Sequence, residues 1–280
     1  MRYAGIENLA VNATPTTYNV PAVSFNFCTN CWVRGLDISN SMRAAINFAF
    51  YSSRGEIRDN YLHDIPVGGG SRGWGTGYGI ELAWTSNTIV ENNIVIGSGI
   101  MNSYPISGSV IGYNYVISPL SEYGWQFAAI QPHSAHVYMN LIEGNDATAY
   151  NEENIWGSGS QNTLFRNRIT SYTTGGEGNT HGVGMGAHHR YNSVVGNVLG
   201  TQGFDTTYEF SDRSGWASCD DSRVIYILGY WTDCYTNPTT NYDNQTRITL
   251  LRWGNYDTVT NAVRWDPNEV PADVPLPGQT

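Results

Sequence analysis

A short pattern of two aliphatic residues separated by a bend recurs along most of this chain. Each copy has an aliphatic residue, two variable residues, a central Asn, one variable residue and a second aliphatic residue. The central residues are Asn60, Asn92, Asn114, Asn140, Asn167 and Asn197, and two earlier copies carry Leu9 and Leu36 there. Intervals of roughly 20 to 30 residues are typical of a solenoid whose coils stack on one another.

The spacing inside one copy predicts its shape. Side chains alternate along a straight strand, so two inward residues an odd number of positions apart need a bend between them. Asn tolerates the left-handed backbone of such a bend, and stacked Asn side chains hydrogen-bond from coil to coil. Candidates for a third strand in each coil are 23–27, 46–50, 80–84, 100–104, 128–131, 154–157 and 183–187. We therefore expect an all-β parallel β-helix of roughly 8–10 coils with three short strands per coil.

Three segments carry a resemblance to a known family. GIELAWTSNTIVENNIVI, GSVIGYNYVI and QNTLFRNRIT resemble right-handed parallel β-helix proteins of the pectate-lyase-like superfamily, over roughly residues 5–200. The resemblance implies a single-stranded right-handed solenoid with a substrate groove on one face. That superfamily includes polysaccharide lyases, glycoside hydrolases, esterases, epimerases, tailspikes and adhesins, so the resemblance does not select an activity.

One continuous core is expected to serve the whole chain. Residues 1–200 are predicted to form the coils. Residues 201–280 are predicted to continue the same domain with a long excursion, the last coils and a Pro-rich tail. Stacked coils bury their aliphatic residues against their neighbours, so a second domain is unnecessary.

The amino-acid composition limits the classes of molecule that this chain can bind. The formal net charge is −10, only 14% of residues are charged, and the chain contains no Lys. Nucleic acid is therefore excluded as a partner, since phosphate binding needs clustered positive charge. No stretch approaches the roughly 18 apolar residues of a membrane span. We expect an extracellular protein, secreted or on the cell surface. The first residues lack an apolar signal region, so we expect the chain to be a mature or trimmed segment of a longer secreted protein.

Long inserts follow the second aliphatic residue of the pattern and are expected to wall one face of the rod. The floor of that face is formed by outward positions of the third strands, namely Asn26, Asn47, Glu81, Ser103, Gln131 and Trp156. Glu81 is the only carboxylate among these six. Glycoside hydrolysis needs a second carboxylate nearby, for which Glu152 or Glu153 is the first choice and Glu122 the next.

Histidines and aromatic residues complete the predicted site. His133 and His188 end two floor strands and are candidate acid/base groups; a metal site built on them is the weaker hypothesis. Expected substrate-binding residues are Asn47, Tyr78, Trp84, Tyr104, Trp125, Gln131 and Trp156. For any single aromatic residue, ordinary packing of loops against the rod is the better explanation, and the number of aromatic residues near one face favours a glycan.

Three functions stay open. The leading hypothesis is hydrolysis of a neutral or weakly charged polysaccharide, without a cofactor. The first alternative is a non-catalytic structural or binding solenoid that associates end to end through an open first coil. The second is a polysaccharide lyase using Ca²⁺ held by loop carboxylates, which the lack of Lys disfavours.

The four cysteines leave the redox state open. A disulfide between Cys219 and Cys234 is the favoured pairing, closing the C-terminal excursion. Cys28 and Cys31 are either paired or simply packed.

Overall fold

The computed structural model describes residues 1–13, 20–65, 77–117, 120, 124–210, 223–230 and 242–275. In these ranges the chain is almost entirely β, with three long sheets and one small sheet. Every strand pairs in parallel with its neighbours except the last two of the second sheet, which are antiparallel. Parallel neighbours far apart in sequence are the expected result of stacked coils.

The strands of each sheet follow one another in chain order, except that the last two strands of the third sheet are exchanged, and their bounds are as follows. The first sheet contains β1 (Gly5–Glu7), β4 (Trp32–Arg34), β7 (Glu56–Arg58), β11 (Ile89–Glu91), β15 (Val110–Gly112), β19 (Leu141–Glu143), β22 (Thr163–Phe165), β25 (Ser193–Val195) and β29 (Leu251–Trp253). The second contains β2 (Ala10–Asn12), β5 (Asp37–Ser39), β8 (Tyr61–His63), β12 (Ile94–Ile96), β16 (Tyr115–Ile117), β20 (Asp146–Ala147), β23 (Arg168–Ile169), β26 (Val198–Leu199), β30 (Asn255–Asp257) and β31 (Ala262–Arg264).

The third sheet carries the face on which the floor was predicted. It contains β3 (Val23–Asn26), β6 (Ala44–Ala49), β9 (Tyr78–Leu82), β13 (Ile100–Ser103), β17 (Ile130–His133), β21 (Tyr150–Glu152), β24 (His181–Met185), β28 (Val224–Leu228) and β27 (Thr207–Glu209). The small fourth sheet contains β10 (Thr85–Ser86), β14 (Ile106–Ser107) and β18 (Val137–Tyr138). One α-helix, α1 (Asn244–Ile248), and one 3₁₀ turn (Pro267–Glu269) complete the described elements.

The chain visits the first, second and third sheets in turn before returning to the first. This route confirms the predicted all-β architecture of stacked parallel strands and is consistent with a solenoid. The third strands lie where the pattern placed them in most coils. The expected strand at 154–157 is wrong, because the strand of that coil is Tyr150–Glu152.

Inward aliphatic side chains form one continuous core. Val33, Ile57, Val90, Ile111 and Ile142 occupy the same position of successive strands of the first sheet and are 0–1% exposed. The equivalent positions of the other sheets join the same cluster. Each coil thus covers the apolar residues of its neighbours, which is the main favourable term in folding.

A ladder of buried Asn side chains runs through the bends between the first and second sheets. Each side-chain amide donates to the Oδ1 of the next rung at 2.8–3.0 Å, and the rungs are Asn60, Asn93, Asn114, Asn145, Asn167, Asn197 and Asn255. The ladder was predicted, but two of its six predicted members are wrong. Asn92 is exposed, and Asn140 belongs to a second row with Asn162 and Asn192.

The error at Asn92 has a simple cause. The pattern fits both Ile89 with Asn92 and Val90 with Asn93, because two Asn residues are adjacent. The structure buries Val90 completely and leaves Ile89 42% exposed. Asn92 itself takes the left-handed backbone of the bend, with φ 54°, and this bend turns Asn93 rather than Asn92 into the interior.

Two further expectations concern membranes and cysteines. Within the described ranges, no helix has the length and apolar character needed to cross a membrane. Cys28 and Cys31 are buried free thiols, and burial raises the pKa of Cys28 to about 11. Cys219 and Cys234 lie outside the described residues.

Candidate functional site

Two parallel rows of outward side chains cross the third sheet. Strand register aligns the first, which we call the Glu81 row and which consists of Ser24, Asn47, Glu81, Met101, Gln131 and Asn151. The second lies two residues further along each strand and is called the His133 row; it includes Ala49, Ser103, His133 and Glu153. Five of the six residues predicted for the floor lie in these rows, with Asn26 aligned to Ala49, whereas Trp156 does not.

Glu81 is present on this floor but is fully engaged by neighbours. Its side chain is 4% exposed and forms an ion pair with Arg43. The amide of Asn47 donates to Glu81 Oε2 at 3.0 Å, and Ser24 Oγ donates to Asn47 Oδ1 at 3.2 Å. A buried carboxylate whose oxygens are occupied by a guanidinium and an amide is fixed in place, which suits a structural role better than contact with a substrate.

His133 and Glu153 lie in contact on this face. His133 Nδ1 lies 2.9 Å from Glu153 Oε1, and the backbone N–H of Ile155 donates to Glu153 Oε2 at 2.5 Å. The Glu153 side chain is 4% exposed, whereas that of His133 is 29% exposed. The contact lacks hydrogen-bond geometry, so His133 Nδ1 and Glu153 Oε1 face each other as buried atoms that have no hydrogen-bond partner among the described residues.

Glu152 does not reach the face, which corrects its assignment as a catalytic candidate. It points into the interior, with 0% exposure. His189 Nδ1 lies 2.8 Å from it, Asn162 and Asn192 donate to it at 3.0 and 2.8 Å, and the Tyr150 hydroxyl also donates. Burial alone raises the pKa of Glu152, but the hydrogen bonds from His189, Tyr150 and Asn162 outweigh it and leave that pKa below its ordinary value.

The separation of Glu81 from Glu153 argues against a glycosidase pair. Register places Glu153 three strands beyond Glu81, and three strand spacings are about 14 Å. Arg43 and Asn47, which hold Glu81, lie on the opposite side of it from Glu153. Glycosidases hold their two carboxyl groups about 5–9.5 Å apart. The third candidate, Glu122, lies outside the described residues.

A small, mostly apolar pocket adjoins the two rows. It has a volume of about 20 Å³, room for one or two water-sized groups, and is lined by Tyr78, Gly99, Ile100, Met101, Phe127, Ala128 and Gln131. Burial, together with the charges of Glu81 and Glu153, raises the pKa of Tyr78 despite the nearby guanidinium of Arg43. The Tyr78 hydroxyl therefore stays a hydrogen-bond donor at neutral pH.

Aromatic residues do gather beside this face, but mostly against one another. Trp84 stacks on Tyr104 with ring centroids 3.8 Å apart and on Phe50 at 5.3 Å, and Phe50 stacks on Phe27 at 5.9 Å. Their interplanar angles are 9–18°, so the rings cover each other's faces. Both faces of Trp84 are occupied, which disfavours its predicted stacking on a sugar ring. Among the described residues Tyr104 is the last ring of this stack.

Three other predicted residues lie elsewhere. Trp125 packs edge-on against Phe127, with centroids 4.7 Å apart, and so supports the pocket wall. Trp156 is not on a floor strand; it lies in a bend after β21 and is 65% exposed. His188 is in a turn, 3.6 Å from Asp243, and does not join His133.

Two more residues of this face make contacts or alignments that bear on the candidate site, namely Arg43 and Ser103. Arg43 directly precedes β6 and reaches across to Glu81, a direction that no sequence pattern reveals. Ser103 lies in register with His133.

In the described part of the chain, no three His, Cys, Asp or Glu side chains cluster as metal ligands would. No protein-family model matches this chain, and a search of curated proteins finds no significant match.

Proposed function

We propose that the chain is an extracellular right-handed parallel β-helix of the pectate-lyase-like type that binds a neutral or weakly charged polysaccharide along the third sheet and performs hydrolytic chemistry on it. The observation that carries this proposal is the His133–Glu153 pair in an outward polar row. An imidazole in close contact with a buried carboxylate is suited to general-base catalysis.

The neighbouring groups support an uncharged ligand. Gln131 offers an amide without a hydrogen bond to the described residues, and Tyr78 offers a hydroxyl beside it. The nearest cation, Arg43, is already neutralised by Glu81. A uronate chain would need cationic partners for its carboxylates, so neutral hydroxyl-rich ligands fit this surface better.

Affinity electrophoresis against a panel of neutral and acidic polysaccharides tests the proposal, with parallel assays for reducing ends, unsaturated ends and released acid. We expect retardation by a neutral polysaccharide that Gln131→Ala weakens several-fold. His133→Asn should abolish product release without abolishing binding. His188→Asn is the matched control and should change neither. Absence of binding to every polysaccharide, or unsaturated products, would contradict the proposal.

A second candidate function is supported by the two ends of the rod. Leu9 is 53% exposed, whereas Leu36, the same residue one coil further on, is 2% exposed. Strands β1, β2 and β3 are the end strands of their sheets. At the other end Arg252, inward and 2% exposed, is bound to Glu209, so that end is charged rather than apolar.

We propose for this candidate a structural solenoid in which two copies associate through their β1–β3 ends. Association in this mode buries Leu9 and pairs the open strand edges. Light scattering at increasing concentration should show a dimer that Leu9→Glu dissociates. A concentration-independent monomer would refute the assembly.

A further inference from the structure

Three side chains that together make a nucleophilic triad occupy consecutive strands of the His133 row. Ser103 and His133 are direct register partners on β13 and β17. Ile130 is the register partner of Tyr150, which places Glu153 beside His133 on the next strand. Adjacent strands lie about 4.8 Å apart, so the three side chains follow one another as neighbours.

The contacts give each member a distinct environment. Glu153 is held by the Ile155 backbone N–H and lies against His133 Nδ1 at 2.9 Å. Ser103 lies on the strand on the other side of His133 from Glu153, so rotation of the imidazole can bring Nε2 to the Ser103 hydroxyl, to which it is not hydrogen-bonded in this structure. Ser103 makes no hydrogen bond to the described residues that would compete with His133.

We propose that Ser103, His133 and Glu153 form a catalytic triad for ester hydrolysis. A Ser hydroxyl becomes a nucleophile when an adjacent base takes its proton, and the base needs a third group to fix its tautomer. Such triads are recognised by geometry and role rather than by sequence order or fold. That the ester belongs to an acylated glycan rests on the proposed function above; the triad itself does not.

The adjoining pocket fits a small acyl group. Met101 and Gln131 precede Ser103 and His133 by two residues on the same outward face, so the pocket opens beside the triad. A volume of about 20 Å³ has room for a small group such as an acetyl methyl. The Gln131 amide and the protonated Tyr78 hydroxyl are the donors placed to stabilise the developing oxyanion.

The reaction balances within these groups and water. Ser103 Oγ bonds to the ester carbonyl carbon while its proton passes to His133 Nε2, and the Glu153 carboxylate stabilises the imidazolium. The C–O bond to the alcohol then breaks, and the alcohol leaves with the proton from His133. Water, deprotonated by His133, attacks the acyl-serine, releasing acetate and restoring Ser103.

Covalent labelling of the full chain with a fluorophosphonate probe, followed by peptide mass mapping, tests the triad. We expect one adduct on Ser103, no adduct in Ser103→Ala, and labelling slowed at least about 1000-fold in His133→Asn. Ser134→Ala, the next serine along the chain after His133, is the control and should label like wild type. Thermal melting establishes that each variant is folded. A folded wild type that does not label, or a Ser103→Ala variant that still does, would overturn the proposal.

Two substrates separate this inference from the proposed function. Aryl acetate hydrolysis dependent on Ser103 supports the triad whether or not a glycan binds. Acetate release from an acetylated neutral polysaccharide, lost in Ser103→Ala, supports both proposals. Polysaccharide binding with no Ser103-dependent hydrolysis of either substrate would refute the triad while leaving the glycan surface standing.

Discussion

Replacing one rung of the Asn ladder should destabilise the protein by an amount that depends on the position of the rung. Asn145 is 1% exposed and makes four side-chain hydrogen bonds. It accepts from the backbone N–H and the amide of Asn114, both at 3.0 Å, and donates to Asn167 and to the Ile111 carbonyl, both at 2.9 Å. Leu at this position would leave two donors of Asn114 and the Ile111 carbonyl without these partners.

The magnitude follows from those orphaned groups. An unsatisfied buried polar group costs about 1–3 kcal/mol, so three of them should cost roughly 3–9 kcal/mol. Asn60 is the matched comparison because it is 2% exposed and ends the ladder. Its side-chain carbonyl accepts only the Leu36 N–H, at 3.0 Å, and its bond to Val33 is long, at 3.4 Å. Asn60→Leu should therefore cost only about 1–3 kcal/mol.

Urea denaturation of both variants, followed by far-UV circular dichroism, measures the difference. The change of residue, and therefore of volume and hydrophobicity, is identical at the two sites. A larger loss for Asn145→Leu supports the hydrogen-bond reasoning. Equal losses would refute it and indicate that packing of the larger side chain, not the orphaned groups, sets the cost.

Three further predictions concern buried titratable groups. Burial lowers the pKa of His181 to about 4, so protonation at low pH should destabilise the folded state. Measured by urea titration, the free energy of unfolding of wild type relative to His181→Gln should fall by roughly 3 kcal/mol from pH 6.5 to pH 4. A difference that does not change with pH would exclude the shift. Burial raises the pKa of Asp205 to about 6, so its charged form destabilises the folded state at neutral pH. Asp205→Asn should therefore stabilise the fold by roughly 3 kcal/mol at pH 7 and have no effect near pH 4. No gain in stability at pH 7 would contradict this. Glu152→Gln should destabilise the fold by about 3–5 kcal/mol because it leaves the buried His189 without its carboxylate. Glu143→Gln removes a surface ion pair with Arg166 and should cost under about 1 kcal/mol. Similar melting shifts for the two variants would argue against this difference between the buried and surface pairs.

The repeat was sufficient to predict the stacked sheets because aliphatic alternation and Asn bends are local signals. It failed where two registers fit equally well, as at Asn92 and Asn93, since only burial distinguishes Ile89 from Val90. The sequence also did not show which of the adjacent carboxylates Glu152 and Glu153 points outward. The expected strand at 154–157 was displaced, and alternation along β21 puts Glu152 inside and Glu153 outside.

The contacts of the candidate site depend on the directions in which side chains point, and the sequence pattern does not determine these directions. Glu81 was expected as a free floor carboxylate, but the reach of Arg43 from the start of the preceding strand determines its state. Trp84 was expected beside the groove and is there, but its orientation follows from stacking on Tyr104. The pairing of His133 with Glu153 needs the exact register of two strands, which long intervening segments leave undefined in sequence.

The amide bonds of the Asn ladder all point the same way. From Asn60 to Asn197 each amide donates towards the C-terminal end, and from Asn93 to Asn255 each carbonyl accepts from the N-terminal side. Their dipoles therefore add, as peptide dipoles add along a helix. In the second row the Asn140 amide also donates towards the C-terminal end, to Asn162, whereas the Asn162 and Asn192 amides donate to the buried Glu152 carboxylate. Reversing one amide would set like partial charges against both neighbours, so the direction of the whole ladder is cooperative and gives the rod an electrical polarity.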